Sequence, residues 1–402
     1  MYEAVARCAT TLIPSRVEHS AGFVWWLGHD GGVTALMQWL GFVVGVALLI
    51  LTLASVVGTL VVPRGIDSVV SRWSDAVVDA AFMLATSRVR HETRREAVFA
   101  WQGAITLLVR LSVWIVLLWV GYAFVLLPFA GAAAFSEAGS SMFTLGYAPP
   151  TNAVTTLIEY LAAFTGVIVV GLQVGYLPTI YAAFNRRETE VTLLTSRAGV
   201  PAWGPEILLR TRWGIQDTDP GAYLDDLFQR WERWAAEVGE SHTTYVTLVR
   251  FRSPRPLSHW VTSLIAVMDA AAIHLAVAPN SPPGISARLC LRMGFTALNQ
   301  IAETMRLPFD FDPDPDHPIS VSRAEFGEAV AMLRGIGYPI ERTDEEAWVH
   351  FRGWRVNYDR AALGIARAVD APPAMWTGPR RYPSTPMAPL RPPSRTPKAP
   401  QG

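Results

Sequence analysis

The stretch SSMFTLGYAPP, residues 140–150, decides how this chain is read. It cannot be helix throughout: Pro149 and Pro150 remove amide donors, and Ala148, standing before a proline, is pushed toward extended backbone. Just upstream, Ala132 to Phe143 has the length of a helix of about three turns and carries one charge, Glu137. Residues 131–153 as a whole stay markedly apolar, where a loop in water would be polar. Helix, extended segment and exit into a further apolar run is the outline of a re-entrant loop. Non-helical backbone at membrane depth is tolerated only where it lines water or is buried in protein.

The flanks set that loop in a membrane. Before it runs LSVWIVLLWVGYAFVLLPFA, residues 111–130, uncharged, with Arg110 at its start, where a long side chain can snorkel to the interface. After it, residues 154–184 form a second apolar run with Glu159 near one end and Asn-Arg-Arg-Glu, 185–188, closing the other. Further upstream, Gly31 to Pro63 has no charged side chain and exceeds the ~20 residues a bilayer requires. It is too long for the apolar region of a cleaved signal.

Arginines orient these three spans. Residues 64–97 carry Arg64, Arg72, Arg88, Arg90, Arg94 and Arg95, and Arg186 and Arg187 follow the last span. The positive-inside rule makes both regions cytoplasmic, so the chain starts outside and the loop at 131–153 faces outward. Within 64–97, Ile66, Val69, Val70, Trp73, Val77, Ala81 and Leu84 recur at helical spacing, with Asp67, Asp75 and Asp79 on the other side. Two readings are open: an amphipathic helix on the inner membrane surface, or a packing face against a soluble domain.

Thr144-Leu145-Gly146-Tyr147, preceded by a helix-sized segment and followed by a span, resembles the pore module of bacterial potassium-channel family proteins over roughly residues 105–190. The resemblance implies that Thr144, Leu145, Gly146, Tyr147 and Ala148 line an ion path, their carbonyls replacing the water shell of a potassium or other monovalent cation. It implies Glu137 and Glu159 as pore-mouth or inner-helix support, and Gly166, Gly171, Gly175 and Pro178 as a gating hinge; close helix packing is the other reading of the glycines. Family filters usually continue Gly-Asp where this chain has Ala148 and Pro149. One loop cannot surround an ion, so the resemblance also implies a homotetramer closed by rotational symmetry.

From Thr189 the chain reads as soluble and helical, with helical spacing around 202–213, 219–240, 258–277, 284–306, 322–336 and 343–369. The most apolar of these, HWVTSLIAVMDAAAIHLAVAP, contains Asp269 and His274, which are costly in lipid, and reads as a buried core helix. Ser322-Arg-Ala-Glu325 is a capping-box pattern. The run FDFDPDPDH, 309–317, offers Asp310, Asp312, Asp314 and Asp316 but lacks the mid-loop glycine of a calcium loop, so a solvated acidic linker is preferred. Trp348, Phe351, Trp354 and Tyr358 read as core aromatics. Residues 371–402 are rich in proline, with Arg380, Arg381, Arg391, Arg395 and Lys398 and no acid, and read as a disordered, solvated tail in preference to one whose Pro389-Leu-Arg-Pro392 docks on a proline-reading domain or whose basic residues touch anionic lipid.

Composition agrees and excludes. The 402 residues are 51% hydrophobic with zero formal net charge, so no basic field recruits nucleic acid. Cys8 and Cys290 are too few for a disulfide framework and read as free thiols. No nucleophile–base set and no dinucleotide fingerprint stands out, so no enzyme and no cofactor is expected. The expectation is an all-α integral membrane protein: three transmembrane helices with a re-entrant pore loop, plus a mainly helical cytoplasmic domain. Its parts are an extracytoplasmic segment (1–33), the first span (34–63), an interfacial segment (64–97), a pore module (98–188, with pore helix and filter at 132–148), the helical domain (189–370) and the tail (371–402). Expected partners are further copies of itself, membrane lipid and an unidentified cytoplasmic ligand or protein. The bacterial inner membrane, with the C-terminus cytoplasmic, is the expected location.

Overall fold

The computed structural model describes residues 27–62, 68–89, 91–212, 220–378, 381 and 384–391, with side chains from 34 onward and without that of Arg212. About three-quarters of the chain is helix, and the described residues contain no strand. In order the helices are α1 (Leu27–Leu60), α2 (Val69–Thr86), α3 (Glu92–Phe99), α4 (Gln102–Ala130), α5 (Ala134–Met142), α6 (Ala153–Ala198), α7 (Gly204–Leu209), α8 (Pro220–Thr244), α9 (Trp260–Val277), α10 (Gly284–Thr304), α11 (Arg323–Gly335) and α12 (Asp344–Ala368). Four described helical stretches are long and apolar enough to cross a membrane: 34–60, 92–142, 153–198 and 260–277. Cys8 and most of the segment expected at 1–33 lie outside the described residues, and α1 begins at Leu27, ahead of the expected start at 34.

The chain divides into two compact units. The first comprises residues up to 50 and 117–166. Here α1 and α4 approach at glycine: a Cβ on Gly45 would meet the Gly121 carbonyl oxygen at 2.7 Å, closer than any side chain allows. Small residues at the crossing are what brings two apolar helices into backbone contact where no hydrophobic effect drives them together. Trp39 and Phe42 meet Phe129 edge-on, and Trp119 and Phe124 meet Phe135 of α5 in the same way.

The second unit comprises 51–116 and 167–402. At its centre is α9, every residue of which is buried, packed against α7, α8, α10 and α12. The costly pair read from the sequence is satisfied there: Asp269 accepts hydrogen bonds from Tyr358 Oη at 2.6 Å and Arg355 Nη1 at 2.5 Å, and His274 Nδ1 lies 2.8 Å from Tyr338 Oη. Phe351 stacks on Phe326 and joins Trp348 in the same core. Both α11 and α12 open on reciprocal capping boxes, Ser322 with Glu325 and Thr343 with Glu346. Cys290 is buried as a free thiol. The acidic run is exposed, with Asp310 and Asp314 accepting from amides two residues on and Arg352 pairing with Asp316; no group of three metal-ligand side chains occurs among the described residues.

Three expectations change. The boundary at 188/189 falls inside α6, which runs unbroken to Ala198, and Arg187, read as a basic flank, is buried and donates to the Leu248 oxygen at 2.9 Å and the Phe251 oxygen at 2.7 Å. Residues 64–97 do not form one helix; α2 ends at Thr86 and α3 starts at Glu92. The tail is not disordered throughout: Ala371, Ala374 and Trp376 are core residues, and 384–391 returns to the fold, since the tail's apolar side chains find a surface and its arginines find acceptors.

Candidate functional site

The loop 143–152 is built from the end of α5. Thr144 has φ +55°, its amide donates to the Ser141 carbonyl at 3.0 Å, and the Leu145 amide donates to the Ser140 carbonyl at 2.7 Å. This is a Schellman cap with threonine in the left-handed position that glycine usually takes. For a β-branched residue that conformation is strained. Gly146 follows at φ +69°, its amide reaching the same Ser140 oxygen at 3.3 Å, and the Ala148 amide donates to Ser140 Oγ at 3.0 Å. Ser140 thus collects three amides of the loop.

The consequence is a sidedness of the backbone. The Thr144, Leu145, Gly146 and Ala148 amides all turn back to α5. Among the described residues no donor reaches the carbonyl oxygens of Thr144 to Ala148. The Leu145 and Tyr147 side chains are exposed at 63% and 62%, Tyr147 Oη reaching the Ser136 carbonyl at 3.4 Å. The loop ends at Asn152, whose Oδ1 accepts from the Val154 and Thr155 amides and so caps α6.

The two glutamates come together behind the loop. Glu137 on α5 and Glu159 on α6 interact side chain to side chain at 2% and 5% exposure, and Ser141 Oγ donates to Glu159 Oε2 at 3.0 Å. No cation pairs with either among the described residues, and Glu137 Oε2 and Glu159 Oε1 find no hydrogen-bond partner there. Sequence spacing could not reveal this pairing, which depends on where α5 folds back.

The four hinge candidates separate. A Cβ on Gly166 would lie 2.4 Å from the Met142 carbonyl oxygen, so this glycine lets α6 touch the end of α5, as the packing reading of the glycines has it. Tyr122 Oη, 2.7 Å from Thr165 Oγ1, secures the same contact from α4. Gly171 and Gly175 meet nothing within 4 Å and line a cavity of about 400 Å³ with Leu60, Tyr176 and Tyr245. Pro178 stands inside α6 and removes one of its amide donors.

In the second unit the polar face of α2 is spoken for. Asp75 accepts from Arg110 Nη2 at 2.6 Å and from Arg250 Nη1 at 3.3 Å, while Asp79 accepts from Arg250 Nε at 3.1 Å and Gln102 Nε2 at 2.6 Å. Arg110 is therefore buried against protein and does not snorkel to an interface. The opposite, apolar face of α2 stays uncovered, with Trp73 at 62% and Leu84 at 77% exposure. Polar side inward and apolar side outward inverts the pattern of a helix on a water-soluble domain. Sequence periodicity found both faces; the arginine partners, one of them 175 residues away, were not legible.

Arg187 Nη1 also lies 2.9 Å from His242 Nε2 of α8, which must accept and therefore be neutral. Burial, and then the neighbouring guanidinium, push His242 well below the usual imidazole range. Arg95 pairs with Asp370 at 2.7 Å and Arg252 with Glu96 at 3.1 Å, so several basic residues of the cytoplasm-assigned segments are structural ion pairs. No protein-family model, curated protein or solved structure matches this chain.

Proposed function

We propose that the chain is a pore-loop cation channel of potassium-channel type, passing monovalent cations through a homotetramer in a bacterial inner membrane. The supporting observation is the sidedness of residues 144–148: the Leu145, Gly146 and Ala148 amides are drawn to Ser140 and that of Thr144 to Ser141, while among the described residues no donor reaches the five consecutive carbonyls. Buried or membrane-embedded carbonyls are nearly always paired, and an unpaired row is the arrangement that can coordinate a dehydrated cation. In this reading α1, α4 and α6 cross the membrane, α5 and the loop re-enter it, and the exposed apolar face of α2 lies on the inner leaflet. The enclosed α9 belongs to the cytoplasmic side with the C-terminus. Thr144, Leu145, Gly146, Tyr147 and Ala148 contribute carbonyls to the ion path, and four copies supply the full shell.

Control falls to α6, which continues past the lipid into the helical domain with Gly171, Gly175 and Pro178 along it. The Asp75–Arg110–Arg250 cluster and the Arg187 contacts tie helices α2, α4 and α6 to the segment at 246–251, and a ligand or protein binding the helical domain is the gating stimulus this reading calls for. No chemical step is involved. Purified protein in liposomes should release potassium down its gradient at a rate above empty vesicles; no flux under several stimuli would overturn conduction.

A second reading is favoured by the cap at Thr144 and by Ala148-Pro149. A loop whose threonine is committed to a helix cap, followed by a residue that resists positive φ, suits a channel fold that serves as a non-conducting sensor or scaffold. The same liposomes separate the two.

A further inference from the structure

The segment Ser384–Arg391, Ser-Thr-Pro-Met-Ala-Pro-Leu-Arg, crosses the second unit as an extended strap. Pro386 and Pro389 fix their own φ and lack amides, so little conformational freedom is lost when the strap is laid on a surface. Two of the remaining amides are used: Met387 donates to the Pro373 carbonyl at 2.7 Å and Leu390 to the Val200 carbonyl at 3.0 Å. At the end of the strap Arg391 grips the Glu206 carboxylate, Nη2 to Oε2 at 2.7 Å and Nε to Oε1 at 3.1 Å. Such two-point guanidinium–carboxylate pairs are directional and among the stronger polar contacts.

The surface beneath is shaped for this chain. Gly199 ends α6 at φ +73°, and a Cβ there would lie 2.4 Å from Pro389 Cβ, so glycine is required twice over. Glu206 is shared: Arg210 Nε donates to it at 2.8 Å while Arg210 Nη1 caps the Ser196 carbonyl in the last turn of α6 at 2.8 Å. Arg391 and Arg210 hold Glu206 below the usual carboxylate range although burial opposes them. Trp203 and Trp376 meet edge-to-face at 5.8 Å, and together with Glu325, Glu328 and the strap's own Pro389 and Arg391 they line a cavity of about 400 Å³. An aromatic wall with acidic edges matches a tail that carries five basic residues and no acid.

We infer that this surface is a recognition site for proline-rich peptides of the form Pro-x-x-Pro-Leu-Arg, occupied in cis by residues 386–391 and so latching the last turn of α6. Aromatic walls select polyproline geometry, and the acidic end fixes the direction of the chain. A basic proline-rich segment of another protein would compete for the strap's contacts with Pro373, Val200 and Glu206, and its binding would free the end of α6. The inference stands whether or not the chain conducts ions.

The experiment uses the full chain in detergent, wild type and Arg391→Glu, with a labelled peptide of residues 384–391. Hydrogen exchange across 385–391 should accelerate about 10-fold in R391E, while α9 and α10 keep their protection as the control for folding. The labelled peptide should bind R391E about 10-fold more tightly than wild type, because the competing occupant is weakened. A peptide carrying Arg391→Glu should bind neither. Unchanged exchange in R391E overturns the latch, as does equal binding to both chains, which would mean an empty groove in solution. Should R391E not fold, Arg391→Lys replaces it: a point charge without the two-point grip should accelerate exchange by a smaller factor, and no acceleration overturns the inference.

Discussion

The Leu145 amide lies 2.7 Å from the Ser140 carbonyl oxygen, across a threonine held at φ +55°. The loop thus begins as the cap of α5 and spends strain at Thr144 to turn its amides inward. Thr144→Gly removes that strain and should raise the thermal midpoint in detergent, by the equivalent of about 1 kcal/mol. If the Thr144 hydroxyl lines the ion path, the same variant should lower potassium flux. A variant that is more stable and no less conductive would remove Thr144 from the path.

Gly146, at φ +69°, has open space around its Cα, so a side chain meets no clash there but must adopt an unfavourable backbone. Gly146→Ala should cost about 1 kcal/mol and rotate the carbonyls on either side. Any potassium flux seen in liposomes should disappear. A current unaffected by this substitution would place the pathway elsewhere.

Gly166 and Gly171 should behave oppositely. Gly166→Ala drives a methyl into the Met142 carbonyl and should destabilise by about 1–3 kcal/mol, read as a lowered unfolding midpoint. Gly171→Ala meets nothing within 4 Å and should be neutral or slightly stabilising, since alanine favours helix. Equal effects at both positions would contradict the contact drawn between α5 and α6.

Arg355 is fully buried between Asp269 and Asp359, with Nη1 to Asp269 at 2.5 Å and Nε to Asp359 at 2.7 Å. Arg355→Met leaves two enclosed carboxylates without their cation and should destabilise by about 3–5 kcal/mol. Replacing both acids by asparagine in the same chain should recover part of the loss. Without that recovery, packing rather than charge explains the position.

His242 gives a pH dependence of definite sign. Its pKa is depressed in the fold, so at pH below the ordinary 6.5 the unfolded chain binds a proton that the folded chain does not. Stability therefore falls as pH drops below that value, by at most about 1.4 kcal/mol per unit for one proton. Thermal midpoints of wild type and His242→Gln between pH 7.5 and 5 should converge at neutral pH in slope and diverge below, the variant lacking this component. Parallel curves throughout would mean that His242 is not held buried and neutral in solution.

What the sequence determined by itself follows from local rules. Uncharged runs, helical spacing, the capping box at Ser322–Glu325 and the prolines after Tyr147 act over a few residues, and they located the short helix before the loop and the helices of the second half to within a few residues; α1 and α4 begin at Leu27 and Gln102, ahead of the runs read at 34 and 111, and α6 continues to Ala198, past the close read at 184. The polarity of α2 was equally readable, as was the core character of the segment containing Asp269 and His274. Tertiary structure decided everything that needed a partner at long sequence distance. Asp75 and Asp79 face Arg110 and Arg250, Glu137 meets Glu159, Gly166 lets α6 touch the end of α5, and Arg391 returns to Glu206 across 185 residues. A charge or a proline in a sequence records only its own cost of burial. Whether that cost is met by water, lipid or another side chain depends on what the fold brings within hydrogen-bonding distance. A proline-rich tail reads as solvated until a groove of the right shape and charge is present to hold it.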